Sequence, residues 1–224
     1  MKMFKIIEPL EKSESIKRCD GWYKTYLKHF FDVCLLIIMS PVILLLAVII
    51  SLSIWLVLGW PILFAQVRPG FKGRPFTLIK FRSMKNSKDQ KGSLLPNEER
   101  LTRFGSFLRS TSLDELPEFV NVLRGHMSIV GPRPLVMRYL PRYSIKQMRR
   151  HSVLPGITGW AQVNGRNSIS WKSRLDLDVW YVDNVSFSLD VKILVMTLGR
   201  ILRRADISGK GEFSSSEFLG DEAK

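Results

Sequence analysis

The run Arg109-Ser-Thr-Ser-Leu-Asp-Glu-Leu-Pro-Glu118 holds the densest set of groups able to do chemistry in this chain. Two adjacent carboxylates, Asp114 and Glu115, follow an arginine. Ser112 with Glu115 fits a capping box, and Pro117 belongs in the first turn of a helix. Either assignment places the acidic pair at a helix N-terminus, where the dipole and free N–H groups favour anions. Ordinary N-terminal caps look the same, so the pair by itself leaves capping and catalysis both open.

A second constellation is Arg124-Gly-His-Met-Ser-Ile-Val-Gly-Pro-Arg133-Pro134. A rigid Gly-Pro-Arg-Pro turn would hold the Arg133 guanidinium in one place, and a planar fork of donors suits phosphate. The alternative is a structural loop with a solvated arginine. The third, Leu154-Pro-Gly-Ile-Thr-Gly-Trp-Ala-Gln-Val-Asn-Gly-Arg166-Asn167, is rich in glycine, hydroxyl and amide groups, as a turn offering backbone donors to an anion would be. His126 and His151 have no serine or cysteine partner at recognisable spacing. There is no H-E-x-x-H, no Walker loop and no G-x-G-x-x-G after a strand, which sets aside triad hydrolases, P-loop enzymes and dinucleotide enzymes.

These residues need a scaffold, and the chain of 224 residues is long enough for one domain with an accessory segment. It is 46% hydrophobic, and its net charge of +14 favours an anionic partner: nucleic acid, an anionic membrane surface or a phosphorylated substrate. Cys19 and Cys34 lack metal-ligand spacing and read as reduced bystanders.

No charged residue occurs between positions 33 and 67, and residues 33–58 are almost purely aliphatic. About 20 such residues suffice to span a bilayer. The run starts too late and is too long for a secretory signal peptide. Ser40-Pro41 should bend it, because proline removes a backbone donor and clashes with the preceding turn, while Ser40 can bond a freed carbonyl. Lysines and arginines mark the cytoplasmic side, and they flank both ends: Lys2, Lys5, Lys12, Lys17, Arg18, Lys24 and Lys28 before, Arg68, Lys72, Arg74, Lys80, Arg82, Lys85 and Lys88 after. That symmetry favours a re-entrant helix-break-helix with its break at Ser40 and Pro41; an ordinary kinked span and a buried helix are the alternatives. Trp22, Tyr23, Tyr26, Trp55 and Trp60 suit headgroup depth.

After this segment, residues 62–84 read as a hairpin with turn signals at Pro69-Gly70 and Gly73-Arg74-Pro75. Residues 85–100 read as a surface loop. Helical patterns fall at 116–123, 135–150 and 189–204; the last has a broad apolar face and a basic end and fits either core or membrane interface. The organisation expected is residues 1–67 as basic segment and membrane helix, 68–207 as one catalytic domain, and 208–224 as a loosely held polar tail.

Taken together, the broken hydrophobic segment, Lys80-Phe-Arg-Ser-Met84, Ser112-Leu-Asp-Glu-Leu-Pro117, Gly131-Pro-Arg-Pro-Leu135, Pro155-Gly-Ile-Thr-Gly-Trp160 and Val179-Trp-Tyr-Val-Asp183 resemble the bacterial polyprenyl-phosphate phosphoglycosyl transferases, the monotopic sugar transferase family. The resemblance covers residues 28–204 in the family's order. Residues 170–218 look most like the small diacetylbacillosamine-1-phosphate transferases.

The fold this resemblance implies is α+β and mainly helical: a re-entrant membrane helix, a small β-hairpin and amphipathic interfacial helices around one cytoplasmic catalytic domain. The activity it implies is transfer of a sugar 1-phosphate from a UDP-sugar, such as UDP-N,N'-diacetylbacillosamine, to undecaprenyl phosphate with release of UMP, an opening membrane step of glycoconjugate assembly. Asp114 matches the family's covalent nucleophile and Glu115 its Mg²⁺ ligand. A carboxylate nucleophile needs no base to activate it, and Mg²⁺ needs few carboxylates when substrate phosphates supply the rest. Arg109, Arg133, Lys80, Arg82, Gly131, Arg166 and Asp183 are the implied phosphate- and substrate-binding residues. Partners implied are the UDP-sugar, undecaprenyl phosphate and anionic membrane lipid at the cytoplasmic face of a bacterial inner membrane, with further copies of the chain and downstream glycosyltransferases as candidates. Nucleic acid is not expected, since neither interleaved aromatics nor a reading helix is evident. A non-enzymatic basic membrane module would explain the charge and the anchor but not Asp114-Glu115 beside Arg109 and Arg133. Polytopic lipid sugar-phosphate transferases are excluded by the single hydrophobic segment.

Overall fold

A computed structural model describes residues 23, 27–87, 89–165, 169–203 and 217–220. The N-terminal basic residues up to Lys24, together with Trp22, Tyr26, Cys19, Lys88, Arg166 and most of the C-terminal tail, lie outside the described residues. The described chain is mainly helical with two small two-stranded sheets.

The aliphatic run forms helix α1, Lys28–Leu58, and it is one continuous helix rather than two separated by a break. Pro41 cannot donate to the carbonyl of Ile37, four residues back. The Ser40 hydroxyl donates to that carbonyl instead, at 2.8 Å. The orphan acceptor is thus satisfied locally, and the helix continues through the proline. It stops at Gly59, whose φ of +75° is a conformation that side chains disfavour.

One stripe of α1 packs on the rest of the protein on both sides of Pro41. Before it, Lys28, Asp32 and Leu36 are buried; after it, Ile50 and Ile54. Leu36 belongs to the main core with Val122, Met127, Ile129 and Ile193, and Ile54 packs with Phe81 and Leu108. The charged residues that begin the helix are paired inside protein. Lys28 forms an ion pair with Asp190, which also accepts hydrogen bonds from Tyr23 and Tyr181. Asp32 accepts from the Ser128 hydroxyl at 2.6 Å. The opposite face of α1, including Ile38, Leu45, Val48 and Leu56, is exposed.

The hairpin expected over 62–84 forms as strands β1, Leu63–Pro69, and β2, Pro75–Phe81, paired antiparallel with Phe64 opposite Lys80 and Arg68 opposite Phe76. Short helices α2, Asn97–Arg100, and α3, Arg103–Ser110, follow. Then come a 3₁₀ turn over Leu113–Glu115, helix α4, Glu118–Leu123, and strand β3, Ser128–Val130. Buried Asn121 ties α4 to the hairpin: its amide nitrogen donates to the Thr77 carbonyl and its oxygen accepts from the Ile79 amide.

The helix expected over 135–150 is divided. A 3₁₀ stretch, Met137–Arg142, contains Pro141, and helix α5, Ile145–Met148, begins afresh behind a capping box at Ser144. A 3₁₀ turn, Arg149–Ser152, leads to strand β4, Gly156–Thr158, which pairs in parallel with β3. Helices α6, Trp160–Val163, α7, Trp171–Asp183, and α8, Phe187–Arg203, complete the described fold. Helix α8 contributes to the core through buried Leu189 and Ile193, while Val191, Val195, Leu198 and Ile201 form an exposed apolar stripe.

The described tail residues are docked on the domain. Phe218 is 3% exposed and sits among Tyr139, Tyr143 and Trp171, and Glu217 pairs with Arg142 at 2.8 Å. An aromatic side chain in a polar tail finds a ring-lined slot, which composition along the tail does not announce.

His151 is buried, with Nδ1 3.3 Å from the Gly70 carbonyl, and it joins the hairpin tip to the Arg149–Ser152 turn. Burial and then the neighbouring Arg150 charge lower its pKa to about 3. A folded pKa below the unfolded value means that the unfolded chain takes up the proton first. Stability is therefore full above about pH 6.5 and falls as pH drops toward 3. Thermal midpoints recorded from pH 7 to pH 5 should decline in the parent, and His151→Gln should flatten that decline.

Candidate active site

The acidic pair does not cap a helix. Ser112 adopts left-handed backbone (φ +56°), makes no side-chain cap, and is followed by the 3₁₀ turn that holds Asp114 and Glu115. Helix α4 begins three residues after Glu115 with Glu118, so the carboxylate in its first turn is Glu118. The reason is Pro117, which occupies the N-cap position of α4 and fixes the helix start after the pair. A left-handed non-glycine residue costs about 1–3 kcal/mol and persists where surrounding structure enforces it, often at functional sites.

Two elements bring cations to this turn, and a third places Arg109 nearby in sequence. From β2, Lys80 reaches Glu115 at 2.8 Å and Glu118 at 3.0 Å. From the turn after β3, Arg133 reaches Glu115 at 2.5 Å. Both contacts on Glu115 fall on Oε1. Asp114, next to Glu115 in the turn, is 8% exposed. From α3, Arg109 donates through Nε to Ser83 Oγ at 2.8 Å, just beyond β2.

The electrostatics separate the two glutamates. Burial alone would raise the Glu115 pKa, but Arg133 and Lys80 outweigh it and hold the carboxyl well below the usual range. Glu118 is 2% exposed; burial and then the Glu115 charge push its pKa up to about 7, against the pull of Lys80 and Arg133. Lys80 is buried as well, yet Glu115 draws its pKa above the ordinary lysine value. One carboxylate is thus fixed as an anion while its neighbour titrates near neutrality.

The turn carrying Arg133 is held by backbone contact. A Cβ on Gly131 would lie 2.5 Å from the Leu154 carbonyl oxygen, and one on Gly156 would lie 2.0 Å from the Gly131 nitrogen. The Gly131 amide donates to the Thr158 carbonyl at 2.8 Å. Behind the turn, Arg150 donates to the Arg133 carbonyl at 2.7 Å and pairs with Asp178 at 2.8 Å, both side chains being buried.

Of the residues singled out by sequence, Asp114, Glu115, Lys80 and Arg133 converge, and Arg109 is fastened alongside. Three take other roles. Arg82 is 5% exposed and donates to the carbonyls of Leu58, Gly59 and Trp60, closing the C-terminal end of α1 where the helix carries negative charge. Gly131 spends its amide on Thr158, so its contribution is close backbone approach rather than a free anion donor. Asp183 is paired with Arg149. Sequence reading passed over Glu118, Arg68, Arg150 and Asp178. Glu118 lay within the acidic run itself; Arg150 and Asp178 carried no local signal, since they pair with each other across 28 positions, and Arg68 bonds Gln66 two residues back.

No group of three metal-ligating side chains occurs among the described residues. A magnesium ion usually retains waters and takes one or two carboxylates plus substrate phosphates. Within this cluster Glu115, largely buried in the turn and held as an anion, is the carboxylate that would serve, through the oxygen that Lys80 and Arg133 do not contact.

A family model described as bacterial sugar transferase matches residues 23–204. A Bacillus subtilis (strain 168) protein called uncharacterized sugar transferase EpsL is 52% identical over 198 residues, 87% of this chain and 96% of that protein. The UDP-glucose:undecaprenyl-phosphate glucose-1-phosphate transferase of Escherichia coli (strain K12) is 41% identical over 174 residues, 73% of this chain. The undecaprenyl-phosphate galactose phosphotransferase of Salmonella typhimurium is 38% identical over 199 residues, 80% of this chain. The chain spans 37% and 41% of the length of these last two relatives.

Gly156→Ala should force the Arg133 turn away from β4. Overpacking of this kind costs about 1–3 kcal/mol, a fall of several degrees in the thermal midpoint. Gly199→Ala, where an added Cβ meets nothing within 4 Å, should leave the midpoint unchanged or slightly raised. Differential scanning fluorimetry of the two variants checks the contrast.

Proposed function

We propose that this chain, which belongs to the bacterial sugar transferase family, transfers a sugar 1-phosphate from a UDP-sugar to undecaprenyl phosphate and releases UMP. The observation that carries this reading is the convergence of Lys80 and Arg133 on Glu115 beside buried Asp114, supported by the activities named for the longer relatives. Asp114 acts as nucleophile on the sugar-bearing phosphorus, giving a phospho-sugar aspartyl intermediate. Undecaprenyl phosphate then displaces Asp114 and carries the sugar phosphate away. Lys80 and Arg133 offset the charge of the diphosphate, and such oriented cations stabilise charge that develops in the transition state. Glu115, with substrate phosphates, would hold Mg²⁺, which supplies further charge neutralisation. For the sugar, the resemblance over residues 170–218 favours an N-acetylated hexose such as N,N'-diacetylbacillosamine.

The membrane reading is re-entry from the cytoplasmic face of a bacterial inner membrane. Its support is the packing of both halves of α1 on one domain, by Asp32 and Leu36 before Pro41 and by Ile50 and Ile54 after it. A helix of 31 residues rises about 46 Å at 1.5 Å per residue, enough to cross a core of about 30 Å. A crossing helix would carry one end away from the domain. The exposed stripe on α8 would rest in the same interface.

Asp114→Asn should abolish UMP release and leave no labelled protein adduct from labelled UDP-sugar, while the parent forms one. A panel comprising UDP-N,N'-diacetylbacillosamine, UDP-N-acetylglucosamine, UDP-glucose and UDP-galactose identifies the donor in the same assay. Substantial turnover in the Asn variant would remove Asp114 from the nucleophile role.

Topology is checked by cysteine labelling in intact cells. Single cysteines near residue 5 and residue 220 should both be shielded from an impermeant outside reagent. Labelling of the first alone would establish a crossing helix.

A further inference from the structure

We propose that Arg68, on the hairpin face that carries Lys80, forms a phosphate-monoester subsite that serves both halves of the reaction, taking first the phosphate of the departing nucleotide and then the phosphate of the acceptor lipid. The proposal rests on the covalent role of Asp114 given above.

Its chemical basis is double displacement at one phosphorus. In the first step an Asp114 oxygen bonds to the sugar-bearing phosphorus. The bond from that phosphorus to the bridging oxygen breaks, and the bridging oxygen leaves on UMP with the electron pair. In the second step a lipid phosphate oxygen bonds to the same phosphorus, and the bond to Asp114 breaks, restoring the carboxylate. Attacking and leaving oxygens lie roughly in line in phosphoryl transfer. Asp114 stands on the same side in both steps, so the acceptor oxygen must enter where the bridging oxygen left. Both groups are phosphate monoesters, so one cationic subsite opposite Asp114 can accept either in turn.

Arg68 has the properties that such a subsite needs. The neighbouring cations are held by carboxylates: Lys80 and Arg133 by Glu115, and Arg150 by Asp178. Arg68 instead donates through Nη2 to the neutral amide oxygen of Gln66 at 2.7 Å, and its Nε is buried with no hydrogen-bond partner. Burial, and then the like charge of Arg133, lower its pKa to about 10 against the pull of Glu118. A buried donor and two cations set near each other are relieved by one bound anion.

Its place in the hairpin suits delivery from the bilayer. Directly paired residues of an antiparallel hairpin share a face, so Phe64, Gln66 and Arg68 run along the face that carries Lys80, Leu78 and Phe76. Phe64 is 49% exposed near the end of the hairpin that leaves α1, and Arg68 lies four residues on, about 13 Å at 3.3 Å per residue. A prenyl chain can lie against Phe64 while its phosphate reaches Arg68.

The test uses the full chain in lipid nanodiscs with Mg²⁺, as parent, Arg68→Gln and Arg68→Lys. Two constants are measured: the KM for undecaprenyl phosphate, and the inhibition constant of UMP against that substrate. Loss of a charged donor should raise both together, roughly tenfold or more in Arg68→Gln. Arg68→Lys, which keeps the charge and loses the fork, should raise both by a smaller common factor. If the Gln variant melts at the assay temperature, the parallel rise in the Lys variant is decisive. A rise in one constant with the other unchanged overturns the shared subsite, and no change in either returns Arg68 to a packing role. Absence of any aspartyl adduct in the parent would overturn the covalent reading itself, an outcome separate from the two constants.

Discussion

Lys28 and Asp32 begin a helix that is otherwise without charge, and their burial against Asp190 and Ser128 is the attachment on which the geometry depends. A charge facing hydrocarbon is expensive; paired inside protein, it becomes a fastening. Removing one partner of a buried pair typically costs about 3–5 kcal/mol, because the other charge is left uncompensated. At the far end Arg82 donates to three carbonyls that the helix and its exit leave unbonded. The helix is therefore clamped at both ends to one body. Its exposed face sets how that body meets a lipid surface, and Arg82, which closes one end, directly follows the strand bearing Lys80.

The site is built from electrostatic opposition held in place by backbone. Lys80, Arg133 and Arg68 are gathered near Glu115 and Glu118, and the two carboxyls respond differently because only Glu115 is met by both a lysine and an arginine. Such an arrangement keeps a negative group in place among cations. The cations cannot drift, since Lys80 rides on a paired strand. Arg133 follows a glycine turn whose neighbours leave no room for a side chain. Arg150 and Asp178 brace that turn from behind at a depth where water does not compete.

Much of this was legible from residue order. The aliphatic run without charge, the alternating strands with their turn glycines and the apolar periodicity of the last helix are local signals, and local sterics and burial produce the matching elements. The motifs that carry Asp114, Glu115, Lys80 and Arg133 were also readable as compact units, although the acidic pair by itself left capping and catalysis both open. Tertiary structure decided the rest. Arg82 and Lys80 stand two positions apart, yet one closes a helix and the other enters the site, because Lys80 lies within β2 while Arg82 lies just past its end, against the exit of α1. Ser40 keeps α1 continuous through a residue that composition reads as a break, since its hydroxyl reaches the carbonyl that proline abandons. Glu118, Arg150 and Phe218 owe their surroundings to partners brought from far along the chain. A single residue's type states what it can do, and only packing determines what it is placed against.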